Sequence, residues 1–139
     1  MSKDIRFDHV SILTKDLEES VRFYTQVLRF PIVRTIESKD LKIVFVDAGN
    51  ATLELFGLVG SKAKLTEEKW ENIGIKHIAL EVDDIEKVYN ELKSNGVRFE
   101  SEPTIAVGGP KIAFFKDPNG VTIELIQWKV YDPKIVWSK

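Results

Sequence analysis

An internal repeat constrains this chain more than any other feature of its sequence. The stretch Gly74 to Leu92, GIKHIALEVDDIEKVYNEL, repeats in altered form the earlier stretch Phe7 to Tyr24, FDHVSILTKDLEESVRFY. His77 lies 68 residues after His9 (77 − 9), and Asp84 lies 68 after Asp16 (84 − 16). A second echo closes each half: Asp47-Ala-Gly-Asn-Ala-Thr-Leu-Glu54-Leu returns as Asp117-Pro-Asn-Gly-Val-Thr-Ile-Glu124-Leu, at an offset of 70 (124 − 54). Self-similarity at this scale means that one supersecondary unit is used twice, so a fold must be sought for the unit before the whole. The chain has only 2 histidines, and they occupy equivalent places in the two copies.

Each copy reads as β-α-β-β-β. Residues 5 to 13 alternate as a half-buried strand does, with Val10 and Ile12 on one face and Phe7, His9 and Ser11 on the other. Asp16 followed by Glu19 has the form of a helix N-cap, and Leu17, Val21, Tyr24 and Leu28 mark a helical stripe over about 17–28. Strands are expected over 32–37, 41–46 and 51–56. The second copy predicts a strand over 75–82, a helix over about 84–95 stopped at Asn95-Gly96, and strands near 97–102, 111–116 and 121–128. Module one spans about 5–57, a charged linker about 58–73 and module two about 74–128, followed by an apolar tail over 129–139. The whole, 1–139, is read as one domain, with Trp70 anchoring the linker against a core edge.

The fold class expected is α+β, two tandem βαβββ modules forming a curved, cup-like mixed sheet with helices on the outer face. Strict alternation puts His9, Ser11, Thr52, Glu54, His77, Ala79, Thr122 and Glu124 on the face away from the helices.

Charge and composition narrow the partners. A formal net charge of -2 offers no electrostatic footprint for nucleic acid or an anionic membrane, which leaves a small-molecule substrate. With no cysteine there is no disulfide and no thiolate metal site. The opening Met-Ser-Lys-Asp-Ile-Arg lacks the apolar core of a signal peptide and no apolar run reaches membrane-spanning length, so a soluble, cytoplasmic protein is expected.

Two imidazoles and two carboxylates, His9, Glu54, His77 and Glu124, form a donor set for a divalent first-row metal ion: Zn, Ni, Co, Mn or Fe(II). An ion with an open position stabilises charge on a substrate carbonyl or enediolate oxygen, and a ligating Glu is placed to act as general base. Glu81, on the parity of His77, is a further candidate for a base or a substrate contact, with a rim salt bridge as its plainer role.

On the segments DHVSILTKDLEESVRFY, IKHIALEVDDIE and AFFKDPNGVTIEL, the chain resembles the vicinal oxygen chelate superfamily, which includes glyoxalase I, methylmalonyl-CoA epimerase, extradiol dioxygenases and bleomycin-resistance proteins. The resemblance covers about residues 5–128. It implies metal ligands His9, Glu54, His77 and Glu124, with Glu124 and Glu54 as candidate catalytic bases, and a homodimer. It also implies lyase or isomerase chemistry of the lactoylglutathione lyase type. The alternatives it carries are an epimerase, an extradiol dioxygenase, or a metal-free protein that binds a drug or metabolite. Three positions depart from the family's patterns. Leu13 and Leu58 stand where bacterial glyoxalase I usually has an Arg and an Asn that help bind glutathione, and Ile43 stands near the place of the epimerase's catalytic Glu.

Overall fold

A computed structural model of the protein describes residues 4–60 and 63–130. The chain divides into two compact units, Met1–Thr66 and Glu67–Lys139. The first contains β1 (His9–Leu13), α1 (Leu17–Arg22), β2 (Ile32–Glu37), β3 (Leu41–Asp47) and β4 (Thr52–Leu58). The second contains β5 (Ile78–Glu81), α2 (Ile85–Ser94), β6 (Thr104–Ile105), β7 (Lys111–Lys116) and β8 (Thr122–Gln127). Each unit has one four-stranded mixed sheet, in the order β1-β4-β3-β2 in the first and β5-β8-β7-β6 in the second. The repeat seen in the residues is therefore a repeat of topology, an α+β arrangement of two βαβββ modules.

Within each unit the first strand pairs in parallel with the last, β1 with β4 and β5 with β8, and the remaining pairs are antiparallel. A parallel pair needs a crossover, and the helix together with the two intervening strands supplies it. Asp16 caps α1 by accepting from the Glu19 N–H at 3.1 Å, and Asp84 caps α2 by accepting from the Lys87 N–H at 3.2 Å. The Gln127 side-chain oxygen also accepts from the Ile85 N–H at 2.8 Å, tying the end of β8 to the start of α2.

The first core is built on Ile12, Tyr24, Val44, Val46, Leu53 and Leu55. Gly57 on β4 shows which face the helix covers. A Cβ placed there would sit 3.2 Å from the Leu17 Cβ, so the absent side chain lets α1 lie close against the strand. Leu53 and Leu55 share the parity of Gly57 and are buried, which leaves Thr52, Glu54 and Phe56 on the opposite face. In the second unit α2 lies against β7 and β8, and a ring stack links Tyr89 on the helix to Phe99 at 4.6 Å and Phe99 to Phe115 on β7 at 5.2 Å. Phe115 pairs with Ile123, so the neighbouring pair Phe114 and Glu124 faces away from the helix.

Three expectations are corrected. The helix expected over 17–28 is α-helical only to Arg22; over Phe23–Val27 it widens into a π-helix, with the Leu28 N–H donating to the Phe23 carbonyl at 3.1 Å. The strand expected near 97–102 is reduced to a Phe99–Phe115 bridge, with the Glu100 N–H donating to the Phe114 carbonyl at 2.9 Å, and Pro103, which has no N–H to give to a ladder, separates it from β6. Trp70 is 82% exposed and does not sit against a core edge. In the apolar tail expected over 129–139, residues 131–139 lie outside the described residues. No helix among the described residues is long and apolar enough to cross a membrane.

The turn before β8 is held by a buried carboxylate. Asp117 is 5% exposed, and its Oδ1 accepts from the Asn119 and Val121 backbone N–H groups, both at 2.8 Å, while Gly120 takes a φ of 83°. Replacing Asp117 with Ala strands both donors and should destabilise the protein by about 2–3 kcal/mol, read as a lower urea midpoint. A change below about 0.5 kcal/mol, the range of an ordinary surface substitution, contradicts this account of the turn.

Candidate functional site

The parallel register brings one histidine and one glutamate together in each unit. In the first, His9 pairs with Thr52 and Ser11 with Glu54 across β1 and β4. The His9 Nε2 stands 3.9 Å from Glu54 Oε2, and Ser11 Oγ donates to Glu54 Oε1 at 2.7 Å. In the second unit His77 immediately precedes β5, Ala79 pairs with Glu124, and the His77 Nε2 stands 3.7 Å from Glu124 Oε1. Both carboxylates are shielded, the Glu54 side chain being 19% and the Glu124 side chain 11% exposed.

Separations of 3.7 and 3.9 Å exceed hydrogen-bond length. Two donors each about 2.1 Å from a common ion stand about 3–3.5 Å apart, so each pair is a few tenths of an ångström wider than joint coordination needs. Nitrogen and carboxylate oxygen are donors of the type that first-row divalent ions accept. Among the described residues no group of three or more His, Asp or Glu side chains is gathered as a metal site. The four residues singled out in the sequence thus appear as two pairs, one per unit. Glu81, the further candidate, is exposed on β5.

Three neighbours of these pairs are not anticipated by the sequence analysis. Asp8 Oδ2 lies 2.6 Å from His9 Nδ1. A carboxylate oxygen accepts here, so the His9 Nδ1–H donates to Asp8 and Nε2 faces Glu54. Phe45 meets the His9 ring edge-on at 5.5 Å, and Phe114 meets the His77 ring in the same way at 5.7 Å. Each phenylalanine is also the antiparallel partner of its glutamate, Phe45 of Glu54 and Phe114 of Glu124. A signal for this pair exists in the sequence: Lys42-Ile-Val-Phe45 returns as Lys111-Ile-Ala-Phe114, at an offset of 69 (114 − 45).

Beyond Glu54 the same face of the first sheet is apolar. Leu13 pairs with Phe56, Phe56 with Ile43, and Leu41 with Leu58, with Leu13 and Leu58 exposed at 40% and 42%.

These features define the class. Residues 6–125 match the Glyoxalase/Bleomycin resistance protein/Dioxygenase superfamily, and the chain belongs to that superfamily. It is 33% identical over 129 residues to a lactoylglutathione lyase of Escherichia coli O157:H7, a match covering 90% of this chain and 94% of the relative. It is 32% identical over 129 residues to the mitochondrial methylmalonyl-CoA epimerase of Mus musculus, covering 88% of this chain and 72% of that protein. Its fold superposes on the trypanothione-dependent glyoxalase I of Leishmania major with a TM-score of 0.69 at 27% identity, covering 89% of this chain and 87% of that one.

The Asp8 contact makes a prediction that needs no ligand. In nitrogen-detected NMR of the protein, His9 should be the Nδ1–H tautomer when neutral, and Asp8→Ala should shift it toward the Nε2–H form that free imidazole prefers. An unchanged His9 signal in the variant removes Asp8 from the site.

Proposed function

We propose that the protein is a metal-dependent lyase or isomerase of glyoxalase type that moves a proton between adjacent carbons of a small α-oxygenated carbonyl compound. His9, Glu54, His77 and Glu124 are the ligands, and a glutamate is the base. The observation that carries this reading is the doubled His–Glu pair, each at a spacing near that of shared coordination. The resemblance to the superfamily supports taking the two pairs as one ligand set, and the protein as a cytoplasmic homodimer. Zn, Ni, Co, Mn and Fe(II) all suit these donors. When bound, the cation supplies Lewis-acid stabilisation of negative charge on the substrate oxygens, which makes the adjacent C–H acidic.

The chain's own residues do the rest. A glutamate carboxylate takes the proton from one carbon and returns it to its neighbour, so substrate and product are isomers and no co-reactant is consumed. Phe45 and Phe114 hold the imidazole rings edge-on and keep water from one side of each. The lyase reading is favoured over a two-base epimerase because Ile43, near the place of the epimerase's second acid, is aliphatic and pairs with Ile36 and Phe56. The presence of both Glu54 and Glu124 favours it over a dioxygenase. Leu13 and Leu58 give no charged or amide group to a peptide carboxylate, so the arm of the substrate that does not react is more apolar than glutathione.

The test is solvent exchange. Hemithioacetals of methylglyoxal with glutathione and with a small apolar thiol, and an acyl thioester, are incubated with metal-reconstituted protein in deuterium oxide and followed by proton NMR. We expect metal-dependent product with deuterium exchange, faster for the apolar thiol than for glutathione, and a loss of at least about 100-fold in His77→Ala. Oxygen consumption with Fe(II) would replace this reading with a dioxygenase, and ligand binding without turnover or metal would replace it with a binding protein.

A further inference from the structure

The two sheets carry opposite charge at one matching position. In the first, Ser11, Glu54, Phe45 and Arg34 stand opposite one another across β1, β4, β3 and β2. Residues directly opposite share a face, so Arg34 lies on the face that carries the His9–Glu54 pair. In the second sheet the Glu100 N–H donates to the Phe114 carbonyl, continuing the Phe99–Phe115 bridge, so Glu100 stands beside Phe114 as Arg34 stands beside Phe45. Glu100 is balanced by Lys116 at 3.5 Å. Arg34 has no carboxylate partner among the described residues. No other Lys or Arg of the four strands shares its face, since Lys42 stands opposite Gly57 on the helix side. One step along the strands the face turns apolar: Leu13, Phe56, Ile43 and Ile36 stand opposite one another in the same order. Ile36 is 44% exposed, and Ile43 and Phe56 are half-buried.

We infer that this face of the first unit binds a small organic acid, with its carboxylate on the Arg34 guanidinium and its apolar chain across Ile36, Ile43 and Phe56 toward Glu54. That this acid is the substrate rests on the function proposed above; the binding itself needs neither a metal ion nor the second unit. A guanidinium stays charged and presents its N–H groups in a planar fork that matches a carboxylate. Neighbouring strands lie ~4.8 Å apart, so Arg34 and Glu54, two strands apart, are separated by roughly 10 Å at the backbone. A small acid bridges that distance. Glu54 also decides the charge of the ligand. A phosphate monoester, at about −1.5 to −2, would be repelled by the Glu54 carboxylate, whereas a single negative charge is matched by Arg34 alone. Water competes for an exposed guanidinium, so charge by itself holds an acid weakly. The apolar row supplies the rest, because each methylene taken fully out of water adds about fourfold to affinity.

The test is nitrogen-correlated NMR of the whole, metal-free chain titrated with sodium hexanoate, with acetate and hexanamide as the charged and the apolar parts of that probe. Hexanoate should shift the Arg34 Nε–H and the amides of Ile36, Ile43 and Phe56, and bind at least about fivefold more tightly than acetate or hexanamide. Arg34→Gln should lower its affinity to that of hexanamide, and Arg34→Lys should keep part of it. Added salt should weaken hexanoate binding to the wild type but not to Arg34→Gln. Arg34 is exposed on an edge strand, so both variants should fold with the wild-type Tm. Unchanged hexanoate affinity in Arg34→Gln, hexanamide bound as tightly as hexanoate, or shifts confined to other residues overturns the inference. The titration contains no metal and no turnover, so failure of the metal-dependent reading leaves its outcome untouched and the two failures are told apart.

Discussion

Parallel pairing of the first and last strand within each unit is the constraint on which the rest of the structure depends. Side chains alternate along a strand with a period of two, so a register is also a choice of face. With Val10 opposite Leu53 and Ser11 opposite Glu54, Leu53 and Leu55 go to the helix and the glutamate goes to the other side. A slip of one residue would bury Glu54 under α1 and expose Leu53 and Leu55, burying a charge and losing apolar burial together. The same holds for β5 and β8, where Ile123 is fully buried beside Glu124. Burial of the flanking aliphatic residues thus enforces the placement of each carboxylate beside an imidazole, and the fold and the His–Glu pair are specified by one set of contacts.

Much of this was legible in the residues because duplication turns a weak signal into a strong one. A single Glu between two aliphatic residues says little; the same pattern at Glu54 and Glu124, each following a turn begun by an Asp, marks an equivalent strand in each unit. The capping aspartates, Asp16 and Asp84, are read from one residue type at a helix start, which is local chemistry that a sequence displays. What escaped the reading depends on contacts between strands distant in sequence. The Ser11 to Glu54 bond spans 43 residues and exists only in the parallel register. Phe45 and Phe114 are invisible as neighbours of histidines until the middle strand is placed beside the last one.

The other misses have local physical causes. The π-helix over Phe23–Val27 departs from the regular 3.6 period that the apolar stripe was read against, and Tyr24 within it is completely buried, so a ring in the core sets the geometry there rather than helix propensity. The strand ahead of β6 is interrupted at a proline, where a ladder hydrogen bond has no donor. Covering the Trp70 ring needs a neighbouring surface, and the residues near it in sequence, such as Ile73 and Ile75, are themselves exposed.

The proposed function rests on one central claim, that both imidazoles bind a cation together with carboxylate oxygens. X-ray absorption at the metal edge of the protein loaded with one equivalent of Ni(II) reads the ligands directly. The account predicts outer-shell scattering from two imidazole rings per ion, with nearest nitrogen and oxygen neighbours at about 2.1 Å. A spectrum fitted by water and carboxylate oxygens with no imidazole contribution would contradict it.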